Sequence, residues 1–385
     1  MTTVYSRRRN IRSGQSAFLP IPILALILLP DSALCQSNAP SPAPAAQVFA
    51  PLPDAPKIDE KRAELGKILF FDSRLSGDTA NACSTCHDPG KGWGDGKPLS
   101  AGYTSVEYFR NAPSLFNSFA RRRLTWDARL DGADPGTLVR DMVTEPHTMN
   151  ADTRIVQERL KQVPQYADAF KVAFGGDPYG GMIYGAVAEF LKTIRTTNAP
   201  FDKFLRGDPA ALTEQQKLGM ELFAGKAGCG TCHNGTLLSD SKPHATGVPE
   251  HPDMASNAAR QITMLRHYAS FGVPNFMNLR TDVGYYVVTK DESDIGKFLT
   301  PSLWDVGQTA PYMHNGVFTT LEEVVEFYDR GGGGSPNKSA ALKPLNLTAD
   351  EKQALVAFLK GLTGDRPATT PPNPHDYGMR ALGTN

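Results

Sequence analysis

Cys83-Ser84-Thr85-Cys86-His87 and Cys229-Gly230-Thr231-Cys232-His233 are two copies of one pattern, Cys-x-x-Cys-His, in a chain of 385 residues. The spacing suits covalent c-type haem: two thiols add across porphyrin vinyl groups as thioethers, and the adjacent His offers a nitrogen to iron. A single copy also fits a redox dithiol, and paired thiolates with histidines fit zinc. Two copies, each ending in His, favour two covalent haems. The five cysteines of the chain divide into two pairs and the isolated Cys35, which leaves little for structural disulfides.

Working outward, each motif marks one segment of similar plan. Residues 57–206 carry the first and residues 207–365 the second. Upstream, Arg7, Arg8, Arg9 and Arg12 form a basic stretch. An apolar run from Phe18 to Leu29, broken by Pro20 and Pro22, follows it. Residues 1–36 therefore read as an export signal, too short and too Pro-broken for a spanning helix, with an uncleaved anchor as the alternative. The expected location is periplasmic, with no stable membrane insertion once the signal is removed. Residues 37–56 are Pro/Ala-rich and read as a linker. Residues 366–385 form a Pro-rich polar tail.

The composition is 40% hydrophobic and 21% charged, enough for real cores. Forty basic residues balance forty acidic ones, which argues against a nucleic-acid binder resting on a basic surface. Helical signals dominate. Ile58–Phe71 reads as a helix, and Thr213 with Gln216 and Thr348 with Glu351 are capping-box starts. Leu355, Phe358, Leu359 and Leu362 share one face of the last helix. Tyr285 to Thr289 is the best short strand. The expected fold is mainly α with long loops, one segment around each motif.

A third capping box, Thr320 with Glu323, starts a helix that should stop before Gly331-Gly332-Gly333-Gly334. Leu321, Val324, Val325 and Tyr328 fall at i, i+3, i+4 and i+7, so Tyr328 points inward. It is either an ordinary core tyrosine or an iron ligand; Met313 is the other candidate ligand.

Leu65-Gly66-Lys67, Phe71-Asp72-Ser73-Arg74-Leu75-Ser76, Arg110-Asn111-Ala112-Pro113-Ser114-Leu115-Phe116-Asn117 and Trp126-Asp127 resemble the bacterial dihaem cytochrome c peroxidase/MauG family. So do Lys297-Phe298-Leu299-Thr300-Pro301-Ser302-Leu303, Thr309-Ala310-Pro311-Tyr312-Met313-His314-Asn315-Gly316 and Thr320-Leu321-Glu322-Glu323. The resemblance covers nearly all of residues 58–364. It implies two cytochrome-c-like haem domains, in which the His87 haem meets hydrogen peroxide and the His233 haem relays electrons. It also implies that Tyr328 is a MauG-type ligand where peroxidases of the family carry Met. Trp126 then falls at the inter-haem position, with core packing as the alternative reading. Trp93 reads as packing. Asn111, through its side chain, and Thr309 and Pro311, through their carbonyls, would bind one Ca²⁺.

The sequence departs from the family at proton handling. No histidine between His87 and His147 supplies the distal ligand of the classical peroxidases, so the first haem is expected to be open at rest. Thr148 stands where the family has a distal Glu, and Glu145 or His147 is the substitute acid or base. Three functions follow. The first is a periplasmic peroxidase drawing electrons from a small donor protein, a cytochrome c or cupredoxin. The second is a MauG-like enzyme oxidising Trp or Tyr side chains of a protein substrate. The third is a non-enzymatic dihaem electron carrier. The resemblance also allows a homodimer.

Overall fold

A computed structural model describes residues 48–103, 106–373 and 378. The export signal, the first part of the linker and most of the distal tail lie outside the described residues. Two helix pairs organise the rest. In the first half, α1 (Glu60–Phe70) packs on α6 (Gly180–Leu191), with α2 (Cys83–Cys86), α3 (Pro135–Thr144), α4 (Thr153–Lys161) and α5 (Pro164–Phe174) between them in sequence. After the linking helix α7 (Pro200–Leu205), α8 (Glu214–Ala224) packs on α13 (Ala349–Gly361) in the second half. Both crossings are tight for the same reason. A Cβ on Gly66 would lie 1.9 Å from the Ala186 carbonyl oxygen, and one on Gly219 would lie 2.0 Å from that of Ala354. Only glycine allows the backbones so close.

Each pair has its own apolar core. Leu65, Leu69, Phe70, Trp93, Tyr166, Phe170, Ile183 and Val187 cluster in the first half. Phe201, Phe223, Trp304, Leu355, Phe358 and Leu359 cluster in the second. A third cluster joins Leu99 and Phe109 to Met264, Tyr268 and Val283, around α9 (Pro252–Ser256), α10 (Ala258–Ser270) and α11 (Tyr286–Thr289). It ties loops of the first half to an elaboration of the second.

The capping readings hold at atomic level. Thr213, Thr320 and Thr348 each receive the N3 amide, while Gln216, Glu323 and Glu351 bond back to the cap. The helix begun by Thr320, α12 (Leu321–Asp329), ends before Gly331 and Gly332, both at positive φ. The final helix buries Leu355, Phe358, Leu359 and, at its cap, Leu362.

Tyr285–Thr289 is corrected: it is the helical turn α11, not a strand. A five-residue apolar run carries too little periodicity to separate the two, and Gly284 closes the turn by accepting from the Val287 amide. Among the described residues, strand is confined to two antiparallel two-residue pairs, β1 (Arg123–Leu124) with β2 (Leu130–Asp131) and β3 (Pro243–His244) with β4 (Phe298–Leu299). These elements confirm the mainly α reading. The described end of the Pro/Ala-rich stretch does more than connect. Phe49 and Leu52 are buried, and Phe49 sits edge-on to Phe201 at 5.3 Å.

Candidate functional site

The two Cys-x-x-Cys-His motifs take the same local form on different scaffolds. Cys83 and Cys86 lie on the single turn α2, and Cys229 opens a 3₁₀ turn, Cys229–Thr231. In each, the second cysteine is followed by a histidine whose Nδ1 donates to a main-chain carbonyl. His87 bonds Trp93 O at 2.9 Å, and His233 bonds Leu238 O at 2.9 Å. This fixes the tautomer, leaving Nε2 as the free lone pair, the arrangement an iron-ligating imidazole requires. Burial lowers both imidazole pKa values, so both rings are neutral and able to ligate.

The thiols point the same way. Burial pushes Cys83 up to about 12, Cys86 to about 11 and Cys229 to about 12. Buried thiols held in the neutral form are poor thiolate ligands for zinc, and all four are unpaired. Conversion to neutral thioethers incurs no such charge penalty.

Beside the second motif opens a cavity of about 280 Å³. Cys229, Cys232 and His233 line it, as do Tyr328, Met313, Val324, Leu355 and Leu359. Both candidate ligands therefore reach the same apolar chamber as His233. On α12, Leu321 and Val325 are buried, while Val324 and Tyr328 are half-buried and face the cavity. Burial, with Cys229 nearby, raises the Tyr328 phenol well above its ordinary value, and a hydrogen bond to Thr246 opposes the shift. A phenolate there requires a cationic partner. His244 also lines the chamber, 2.7 Å from Asp240 through Nε2. The sequence reading passed over it, although its place eleven residues past His233 was a signal.

The same cavity extends to Trp126, Asn111, Thr309 and Pro311. Trp126 Nε1 donates to the Asn111 carbonyl at 2.9 Å. Asn111 Nδ2 donates to Lys97 O at 2.8 Å, which turns its amide oxygen away from that carbonyl. The structure thus gathers on one wall the residues assigned from sequence to electron relay and to calcium. Trp93 packs at 2% exposure against Phe70 and Phe190, as read.

Glu145 and His147 belong to a buried ionic network. Arg110 bonds Asp127 at 2.6 Å and Asp282 at 2.5 and 2.9 Å. Arg129 spans Asp127 at 3.2 Å and Glu145 at 2.8 Å. Glu145 Oε1 then lies 3.4 Å from His147 Nε2 and 3.3 Å from His267 Nδ1. Although burial opposes it, His147, His267 and Arg129 hold the Glu145 carboxyl well below its usual range. Glu145 is therefore held as a carboxylate. Thr148, at the family's Glu position, spends its hydroxyl on the Met142 and Glu145 carbonyls. His267, fully buried on α10, is a network member that sequence reasoning missed, as are Arg129 and Asp282. Its only signal was a lone histidine on the inner face of an amphipathic helix.

Two histidines prepared as iron ligands beside cysteine pairs match what comparison finds. The chain is 55% identical over 337 residues to cytochrome-c peroxidase IdrP2 of Pseudomonas sp. (strain SCT), spanning 88% of this chain and 90% of that protein. Residues 60–210 match the family described as di-haem cytochrome c peroxidase. The chain belongs to the dihaem cytochrome c peroxidase/MauG family. Methylamine utilization protein MauG of Methylorubrum extorquens is a more distant member, 34% identical over 326 residues and 84% of each chain. The crystal structure of a MauG-like protein associated with microbial copper homeostasis shares the fold at TM-score 0.67 and 29% identity, over 86% of this chain and 95% of that one. As a family member the protein is a peroxide-dependent oxidoreductase with two c-type haems, which the two motifs fit. Among the described residues no helix is long and apolar enough to cross a membrane.

Proposed function

We propose that the protein is a periplasmic peroxidase that reduces hydrogen peroxide with electrons from a small redox protein, a cytochrome c or a cupredoxin. Residues 57–206 and 207–365 each hold one haem, through Cys83, Cys86 and His87 and through Cys229, Cys232 and His233. The observation that carries the reading is the matched pair of histidines, each directly after a Cys-x-x-Cys and each with Nδ1 tied to a main-chain carbonyl. The haems supply the iron redox chemistry by which peroxide takes up two electrons.

The residues of the chain do the rest. His87 and His233 hold the proximal positions, and their carbonyl partners keep the rings from turning. Tyr328, which lines the chamber that holds His233, would supply a second ligand to that haem, and an anionic oxygen ligand favours the higher oxidation states of iron. Trp126 carries charge between the halves, its indole fixed by Asn111. Asn111, Thr309 and Pro311 hold a calcium ion with water completing its shell, a hard oxygen set. Glu145 accepts, and His147 delivers, the protons that peroxide reduction consumes.

A second reading, oxidation of Trp or Tyr side chains on a protein substrate, draws support from Tyr328 facing the chamber that holds His233. One experiment separates the two. The diferric protein receives one equivalent of peroxide without prior reduction. Immediate consumption, a mixed high-spin and low-spin starting spectrum and turnover with a reduced cytochrome c or cupredoxin support the peroxidase. A long-lived oxidised species that small donors do not discharge supports the side-chain oxidase. Six-coordinate low-spin spectra inert to peroxide would leave a dihaem electron carrier and sink both.

A further inference from the structure

The buried network described above carries an unbalanced charge. Two guanidiniums, Arg110 and Arg129, face three carboxylates, Asp127, Asp282 and Glu145. These five groups together hold one net negative charge away from water, which a cation would offset. At its centre His147 and His267 are 4% and 0% exposed, and the Nε2 atom of each has no hydrogen-bond partner.

The separations fit a metal better than a proton. Glu145 Oε1 stands 3.3 Å from His267 Nδ1 and 3.4 Å from His147 Nε2. Charge-assisted hydrogen bonds close to about 2.7–2.9 Å. Ligands about 2.0–2.1 Å from a tetrahedral ion instead stand about 3.3–3.4 Å apart. One ligand atom from each of the three residues falls within 4.8 Å of the others. The surroundings suit ligation too. Arg129 occupies only Oε2 of Glu145, so Oε1 faces the two imidazoles, and the far nitrogen of His267 faces Asp127 at 3.5 Å. A carboxylate behind the second nitrogen is how ligating histidines are oriented.

We propose that Glu145, His147 and His267 bind one divalent first-row cation of the zinc class, through Oε1, Nε2 and Nδ1, with a further position open to water. Two nitrogens and one carboxylate oxygen are the donor set of borderline ions rather than of calcium or magnesium. The site draws on the proton-handling reading of Glu145 and His147 and extends it. An ion there would engage the lone pairs of Glu145 and His147, so that water on the ion would take over the proton transfer assigned to them.

The test uses the dihaem holoprotein and zinc itself. The protein is equilibrated with excess zinc, desalted and analysed for zinc against its two haem irons. About one tightly held zinc per chain is expected, and His267→Gln and His147→Gln should each weaken it at least about 10-fold with both haems retained. A wild-type protein that retains no zinc overturns the proposal, as does undiminished zinc in both variants. Should a variant fail to fold, zinc-edge X-ray absorption on the wild type decides: two imidazoles in the shell support the site, none rejects it. Peroxide turnover is read separately, so a zinc-loaded but inactive protein would reject the peroxidase reading and leave the metal site standing.

Discussion

The two halves attach their cofactors alike and surround them differently. Around His233 lies an apolar chamber with Tyr328 and Met313 on its walls. The first half instead supplies Arg110, Asp127, Arg129, Glu145 and His147 to a charged network completed by His267 and Asp282. The repeated motif is common to both halves; what distinguishes them is an apolar chamber in one and a buried charged network in the other.

The harshest way to break the comparison is to remove one haem at a time. Cys83 and Cys86 changed together to Ala should abolish peroxide consumption while the second low-spin spectrum survives. The matching change at Cys229 and Cys232 should abolish donor-driven turnover. Spectra and stopped-flow assays report both, and a first-half variant that still turns over would reverse the assignment.

Next in size is the network. Asp282→Ala removes two hydrogen bonds from Arg110, which is 2% exposed and keeps Asp127, and should cost about 3 kcal/mol by denaturant titration. Glu322→Ala, whose partner Lys360 is mostly exposed, should cost under about 1 kcal/mol. Equal costs would mean that the network is wetter than its burial implies.

The helix crossings should respond in parallel. Gly66→Ala and Gly219→Ala each drive a methyl into a carbonyl oxygen, at a cost of about 1–3 kcal/mol in thermal or denaturant unfolding. A tolerated substitution in one half alone would show that its crossing is the looser.

Tyr328→Phe should alter the low-spin signal of the second haem and leave stability within about 1 kcal/mol. Tyr328→Met should raise its reduction potential, measured by spectroelectrochemistry, because a thioether favours the reduced iron. An unchanged spectrum would hand the ligand role to Met313.

The smallest effect is a pH slope. Burial, then repulsion from Asp282, raises Glu250 from 4.5 to about 7. The folded protein therefore holds a proton that the unfolded chain has lost, so Glu250 makes stability fall as pH rises from about 4.5 to 7. Glu250→Gln should flatten that part of the Tm profile by at most a few degrees. No change in slope would place the carboxyl in water.

The haem motifs, the caps and the inward face of α12 were legible because each depends on neighbours within eight residues. Tyr328 could be pointed inward from Leu321 and Val325 alone. His267 could not be found that way. Its role depends on Glu145 and Asp127, more than a hundred residues away, and no local period encodes that meeting. Phe49 was hidden likewise, since a Pro/Ala-rich stretch gives no period for a single buried ring.

By itself the amino-acid order established two covalent haem sites, a helical fold and the family, because thioether attachment and capping need only short runs of backbone. The folded chain alone decided which side chains share a chamber and which share a charge. Electrostatic and cavity energies depend on distances across the interior, and those exist only after α10 packs against the loops of the first half.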